Sequence, residues 1–437
     1  GQKATVKTTG SIARNIPQLA SSSNVLGSKV IFESGSSSLL SQAFDSNSNR
    51  IVIAYVDGDD SSKGKAVVGS IDSSDNSITY GTAVEFNSGT TTMVACGFDS
   101  NSNKIVIAYS DGGNSNYGTA KVGTVDSSDN SISFGSAVVY ESASINDSGP
   151  QAITFDSNSN KVVIAYRDLG NSDYGTAIVG TVSGTSISFG SAAVFESARA
   201  IGISSTFDSS NNKVVIAYRD LGNSDYGTAI VGTVSGTDIS FGTAVVFENA
   251  ESNEIGTTFD SSNNKVVIFY SDEGTNGQGT AIVGTVSGTS ISFGTAVVFD
   301  SDNSNKMSAT FDTNANKVVT AYMDRGTDGS DQGTVITGSV SGTSITFDTA
   351  TEFDDSDVNA FACTFDSNSK RVAIAYADQG NSTYGTGIIL TPIGTPEDLT
   401  IGQQYFVQTD GTLGTSADDP SVIAGTAIGA SDIIVKG

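Results

Sequence analysis

Apolar and polar positions follow one pattern that returns seven times. A Phe-Asp pair, beginning at Phe44, Phe98, Phe155, Phe207, Phe259, Phe311 and Phe365, is followed by an Asn/Ser turn and then by a run of the type KVVIAY. Neighbouring pairs lie 54, 57, 52, 52, 52 and 54 residues apart. A period near 50 residues across most of a chain marks a repeat architecture. The third unit shows what repeats: AITFD (152–156), a SNSN turn, KVVIAYRD (161–168), the loop LGNSDYG, GTAIVGTV (175–182), an SGTS turn, and SISFGSAAVF (186–195). These are four β segments rich in Val, Ile, Thr, Phe and Tyr and bounded by Gly, Asn, Asp and Ser. No stretch carries apolar residues at helical spacing over three turns.

Val162 to Tyr166 is apolar without alternation, so protein must cover both faces of this segment. Four antiparallel strands per unit, stacked face to face on the next unit, describe a β-propeller blade. A parallel β-helix has shorter coils, and an immunoglobulin-like array has units about twice as long. The sequence therefore predicts an all-β, seven-bladed propeller over residues 26–396.

Six units carry four strands and the seventh stops after its third, at 384–393. The missing pattern, LGSKVIFES, stands upstream of the first unit at 26–34. The N-terminal segment is thus expected to complete the last blade, three strands plus one, and to spare it a long unpaired edge.

Composition narrows the function. The net charge of −26 opposes nucleic acid and anionic membrane surfaces and favours solubility. No run of 18 apolar residues exists, so no membrane insertion is expected. There is no histidine, which removes His-based triads and His metal sites. Carboxylates recur in step with the repeat and no unique pair stands out, so no catalytic residues are assigned and the protein is not expected to be an enzyme. Arg167 and Arg219, with Arg325 displaced by one position, hint at a sialidase-like cluster and keep a glycan hydrolase as the least favoured alternative. Cys96 and Cys363 lie on inner strands with one blade between them, too far for a disulfide.

The DSNSN turns place oxygen ligands at alternate positions, as at Asp45, Asn47 and Asn49, which resembles the start of a calcium loop. The same residues make tight turns without an ion, by side chain to backbone hydrogen bonds. Both readings stand at this level, with no other cofactor expected.

Propeller geometry puts the turns between strands one and two on one face with those between strands three and four. The loops between strands two and three lie on the other face with the blade connections. There the units differ most, as in 141–152 and the lengthened RGTDGSDQG of blade six. Variable loops on a rigid ring are where binding usually resides. This face also carries the pattern YxDxGNSxYG, which pairs Asp111 with Tyr117, Asp168 with Tyr174, Asp220 with Tyr226, and Asp378 with Tyr384. A ring for the apolar face of a sugar beside acceptors for its hydroxyls suits glycan binding. Alternatively, each tyrosine packs over its loop and each aspartate caps the turn.

The tail departs from the repeat. LTIGQQYFVQTDGTLGT (399–415), SVIAGTAI (421–428) and the final IIVKG resemble a terminal module of virion structural proteins of tailed phages, notably marine ones. The FDSNSNKVVIAYRD repeat is similar to propellers of such proteins. The resemblance implies a fibre, spike or other appendage on a virion or extracellular surface. Its implied partners are a host glycan or receptor and other subunits, with homo-oligomers expected. The alternative is a structural decoration or filament subunit with no dedicated ligand. In the related tails a segment like GQKATVKTTGSIARN (1–15) directly precedes the tail motif. Residues 1–25 and 397–437 are accordingly expected to combine into a small split β domain, into which the propeller is inserted.

Overall fold

The structure is a computed structural model that describes residues 23–145, 151–326 and 330–394, together with 404–407, 413–414, 422–427 and 433–434. Its only helical elements among these residues are five three-residue 3-10 turns. By contacts, Leu26–Leu390 forms one compact unit. In the other unit, Gln404–Val407, Leu413–Gly414, Val422–Ala427 and Ile433–Ile434 make a four-stranded antiparallel sheet. The expected contribution of residues 1–22 to this small domain lies outside the described residues.

Within the large unit the pairing traces seven four-stranded antiparallel groups among the described residues. In blade three, Ala152–Asp156 pairs with Lys161–Asp168, which pairs with Tyr174–Ser183. That third strand takes Ser186–Phe189 and then Ala193–Asp208 as its outer partners. Ala193–Asp208 does not end there: its second half is the inner strand of blade four, paired with Lys213–Asp220. One strand thus serves two blades, as Val30–Asp45, Val84–Asp99, Val245–Asp260 and Val297–Asp312 also do, whereas Val138–Ser144 and Ala152–Asp156, and Thr351–Asp354 and Val358–Asp366, are separate strands.

The last junction uses the chain start. Val30–Asp45 pairs first with Tyr384–Thr391, with Val30 opposite Gly387 and Ser36 opposite Tyr384, and then with Arg50–Asp57. The N-terminal segment therefore supplies the outer strand of the last group, as the repeat pattern predicts. In the other unit the Ile393 amide donates to Asn24 Oδ1 at 2.8 Å.

The core lies between blades. Val162, Val163, Ile164, Ala165 and Tyr166 are all buried, which explains the lack of alternation in this strand. The equivalent tyrosines, Tyr55 to Tyr376, are the largest fully buried side chains. Four of them donate to a glutamate of the preceding outer strand: Tyr55 to Glu33, Tyr166 to Glu141, Tyr218 to Glu196 and Tyr270 to Glu248, at 2.8–3.0 Å. These four buried hydroxyls are satisfied, as most buried polar groups are.

On the face of the short turns the blades are keyed together by glycines. A Cβ on Gly81, Gly135, Gly190, Gly242 or Gly294 would stand within 2.0 Å of a turn carbonyl of the next blade. Blade six has Asp348 at this position, and the blade it faces has no turn between third and fourth strands, because its fourth strand comes from the N-terminal segment. With no carbonyl to accommodate, a side chain fits, and Asp348 accepts from Lys317 Nζ (2.8 Å) and Thr337 Oγ1 (2.6 Å).

Candidate recognition face

The loops between second and third strands are built on their aspartates. Five 3-10 turns begin after Asp111, Asp168, Asp220, Asp272 and Asp378, each in extended backbone with its carboxylate accepting an amide two or three residues on. Asp168 Oδ1 takes the Gly170 and Asn171 amides at 2.9 and 3.1 Å, Asp220 that of Gly222 at 2.8 Å, Asp111 that of Gly113 at 3.0 Å, and Asp378 that of Asn381 at 3.0 Å. Burial, above all, raises the carboxyls of Asp168 and Asp220 above the usual carboxylate range, against the pull of these amides. These carboxylates hold the loop backbone.

After each turn the chain passes through left-handed residues, such as Ser172 and Asp173, and re-enters the sheet at the tyrosine. The register sets Asp111 opposite Tyr117, Asp168 opposite Tyr174, Asp220 opposite Tyr226 and Asp378 opposite Tyr384. Each predicted pair is thus brought together, with the aspartate turned into the loop. Tyr117, Tyr174, Tyr226 and Tyr384 are half-buried and remain the surface groups of their pairs.

The arginines do not converge. Arg167 pairs with Asp173 at 3.0 Å, Arg219 with Asp225 and Glu251 at 3.0 and 2.7 Å, and Arg325 with Asp331 at 2.7 Å. Each is tied to acids on or beside its own loop, so the sialidase-like grouping suggested by YRD is not formed.

The aspartates of the DSNSN turns bond the backbone of their own turns. Asp45 Oδ1 accepts from the Asn47 and Ser48 amides at 2.9 and 3.0 Å, and Asn49 takes a left-handed φ of 54°. Among the described residues, the acids spaced closely enough to hold a metal are Asp300, Asp302 and Asp324 of blade six. Burial, then the charges of Asp300 and Asp302, push Asp324 up to about 6. Both cysteines are free and buried near the axis, and burial pushes Cys96 up to about 12 and Cys363 up to about 11.

A feature not singled out in the sequence lies on the ring axis. Inner strands shift register near their starts, for example between Ser38 and Ser41 and between Asn305 and Ser308. At this bulge Leu39, Met93, Glu254, Lys306 and Ala360 adopt left-handed φ of 50–56°, whereas blade four has Gly202. A left-handed residue bearing a Cβ costs roughly 1–2 kcal/mol relative to the right-handed form. These residues surround a cavity of about 350 Å³ at the channel mouth. A second cavity of about 200 Å³ follows the inner strands. Ser37 is opposite Asp57, which caps the adjacent loop, so the mouth opens on the loop face. The signal in the sequence was the position five residues before each Phe-Asp pair, where the seven repeats carry seven different residue types.

No protein-family model and no curated protein matches the chain. Among solved structures it is similar to the BP39L lectin from Burkholderia pseudomallei, with a TM-score of 0.58 and 11% identity, covering 83% of this chain and 98% of the lectin. It is also similar to a chain of the mitotic checkpoint complex, with a TM-score of 0.50 and 10% identity over 90% of this chain and 99% of that one. A third similar structure is the Cps50 (Swd1) β-propeller domain of Myceliophteria thermophila, with a TM-score of 0.49 and 8% identity over 83% and 99%. At these identities the likeness is one of fold, and the strand pairing, with the likeness to the first two of these structures, makes this protein a β-propeller.

Proposed function

We propose that the protein is a glycan-recognising propeller on an external appendage, a fibre or spike of a virion or a comparable extracellular structure, and that the loop face meets the glycan. The observation that carries this reading is the placement of Tyr117, Tyr174, Tyr226 and Tyr384. They are four half-buried rings at equivalent positions, each at the foot of a loop whose backbone an aspartate holds. Such rings offer an apolar face to the C–H face of a sugar, and a preformed loop keeps the ordering cost of binding low. Weak equivalent sites on one ring gain from avidity when the glycan is displayed densely. A lectin shares the fold, which supports carbohydrate as the ligand class. The resemblance of the tail motif to phage virion proteins supports placement on a particle, with other appendage subunits or further copies of this chain as partners.

The test is a broad glycan array, with host-cell binding beside it, on the full chain and on a variant with all four tyrosines changed to alanine. The expected result is selective binding by the wild type and a loss of tenfold or more, about 1.4 kcal/mol, in a variant whose Tm stays close to wild type. A wild type that binds neither glycans nor cells sinks the reading. It would leave the structural decoration or filament subunit, which the exposed Ile31, Val139, Val194 and Val298 of the outer strands favour as lateral packing points.

A further inference from the structure

We infer that the channel mouth is a separate subsite for a single neutral sugar residue, formed by Leu39, Met93, Glu254, Lys306, Met307 and Phe361. The inference rests on the glycan reading above, but it places the contact on the ring axis, apart from the four loop tyrosines.

The lining is two-sided. Leu39, Met93 and Phe361 come from blades one, two and seven, which are contiguous around the ring, and they make an apolar half. Glu254 and Lys306 come from blades five and six and form an ion pair at 3.0 Å, with side chains 29% and 43% exposed. The cavity volume falls within the range of small-molecule sites.

The backbone indicates that these side chains are wanted. Gly202 in blade four shows that the bulge accepts glycine, the residue with no penalty at positive φ. Five other described repeats carry a side chain there in the same strained conformation. Scaffold positions such as the Phe-Asp pair hold one identity in every repeat, whereas this position differs in all seven. Strain held at a position of free sequence variation marks a site rather than a scaffold need.

Charge selects the class of occupant. A carboxylate-bearing ligand is opposed by the net charge of −26, and a hydrocarbon would desolvate the Glu254–Lys306 pair without bonding it. Adjacent hydroxyls both donate and accept. They can bond the carboxylate and the ammonium together while leaving the pair intact, and the C–H face of the same ring then rests on the exposed Leu39.

The methionines report on the site. The chain has three: Met93 and Met307 line the mouth, and Met323 belongs to the core between blades six and seven. Full-length protein labelled with 13C at the methionine methyls is titrated with methyl glycosides of glucose, galactose, mannose and N-acetylglucosamine, then with the best oligosaccharide from the array. At least one of these is expected to shift the Met93 and Met307 signals saturably while Met323 stays in place. Leu39→Gly and Lys306→Gly keep the left-handed backbone, so their Tm should hold or rise while affinity at the mouth falls about tenfold or more. Array binding without any movement of Met93 and Met307 would overturn the mouth site and leave the glycan reading standing. Shifts produced by leucine or isovalerate but by no sugar would overturn the ligand class. Silence in both array and titration would remove both proposals.

Discussion

The carbonyl oxygen of Asn76 lies 1.9 Å from where a Cβ on Gly27 would stand. Gly27 is on the N-terminal segment that completes the last blade, and Asn76 is in the long turn of the first. Two further bonds fix the same junction: Arg371 Nε donates to Asn76 Oδ1 at 2.6 Å, and Arg371 Nη2 to the Ser73 carbonyl at 3.0 Å. The seam is therefore keyed in the same way as the internal junctions.

Gly27→Ala is expected to force this contact apart. Overpacking of this kind costs typically 1–3 kcal/mol, and here it acts on the strand that closes the ring. Thermal unfolding should show a lowered Tm, and proteolysis should cut the N-terminal segment sooner. Asp348→Gly, at the one equivalent position with no carbonyl opposite, should instead lose only its bonds to Lys317 and Thr337. A Gly27→Ala protein with wild-type Tm and proteolysis would disprove the keying.

Arginine at the start of the second strand matches a long turn in the next blade. Arg50 reaches Asn130 Oδ1 (2.5 Å) and the Ser127 carbonyl (2.6 Å), as Arg371 reaches blade one. The other five blades have lysine there; four of them face short turns, and blade six faces the blade that lacks such a turn. Arg50→Lys should cost about 1 kcal/mol, the worth of a hydrogen bond or two, while Lys161→Arg should be close to neutral. Denaturant midpoints of the two variants measure the difference.

Asp324 makes stability depend on pH in a defined window. Its folded value, about 6, lies above the ordinary 3.8. The folded state therefore holds this proton more tightly than the unfolded one. Stability is lost as pH rises from 3.8 through 6 and regained on acidification over the same range. Asp324→Asn should raise Tm at pH 7.5, change it little below pH 4, and flatten the slope between. An unchanged slope would show that burial and the charges of Asp300 and Asp302 do not raise this carboxyl.

The DSNSN turns should behave as turns without an ion. Asp45→Asn keeps the oxygen that accepts the Asn47 and Ser48 amides and should cost little. Asp45→Ala loses both bonds and should cost about 1–2 kcal/mol. Chelation should leave Tm unchanged, and metal analysis should find less than one calcium per chain. A full equivalent of calcium with a Tm drop on chelation would restore the ion-binding reading.

The repeat made the fold legible. Strand order, turn positions and the use of residues 26–34 to complete the last blade follow from local pattern, because each unit must bury the same faces against its neighbours. Asp111, Asp168, Asp220 and Asp378 were legible as a set with their tyrosines for the same reason: a strand, a capped turn and a returning strand are local structure. Their division of labour was not. Whether a carboxylate turns into its loop or out toward a ligand depends on which amides the turn presents, and the pattern of types does not record that. Arg167 and Arg219 show the limit in another way, since shared spacing suggested a cluster and the acids of each loop took the charges one by one.

The sequence by itself determined a repeated all-β unit, its periodicity and the strand exchange at its ends, since strand pairing and burial act within one repeat or between neighbours. Only the tertiary structure decided what meets on the axis. Leu39 and Lys306 are 267 residues apart in the chain, and closing the ring places them around one opening. No local pattern encodes that encounter, because it depends on the angle between successive blades summed around the ring. Gly27 and Asn76 meet for the same reason, with the geometry of closure setting which carbonyl each glycine must clear.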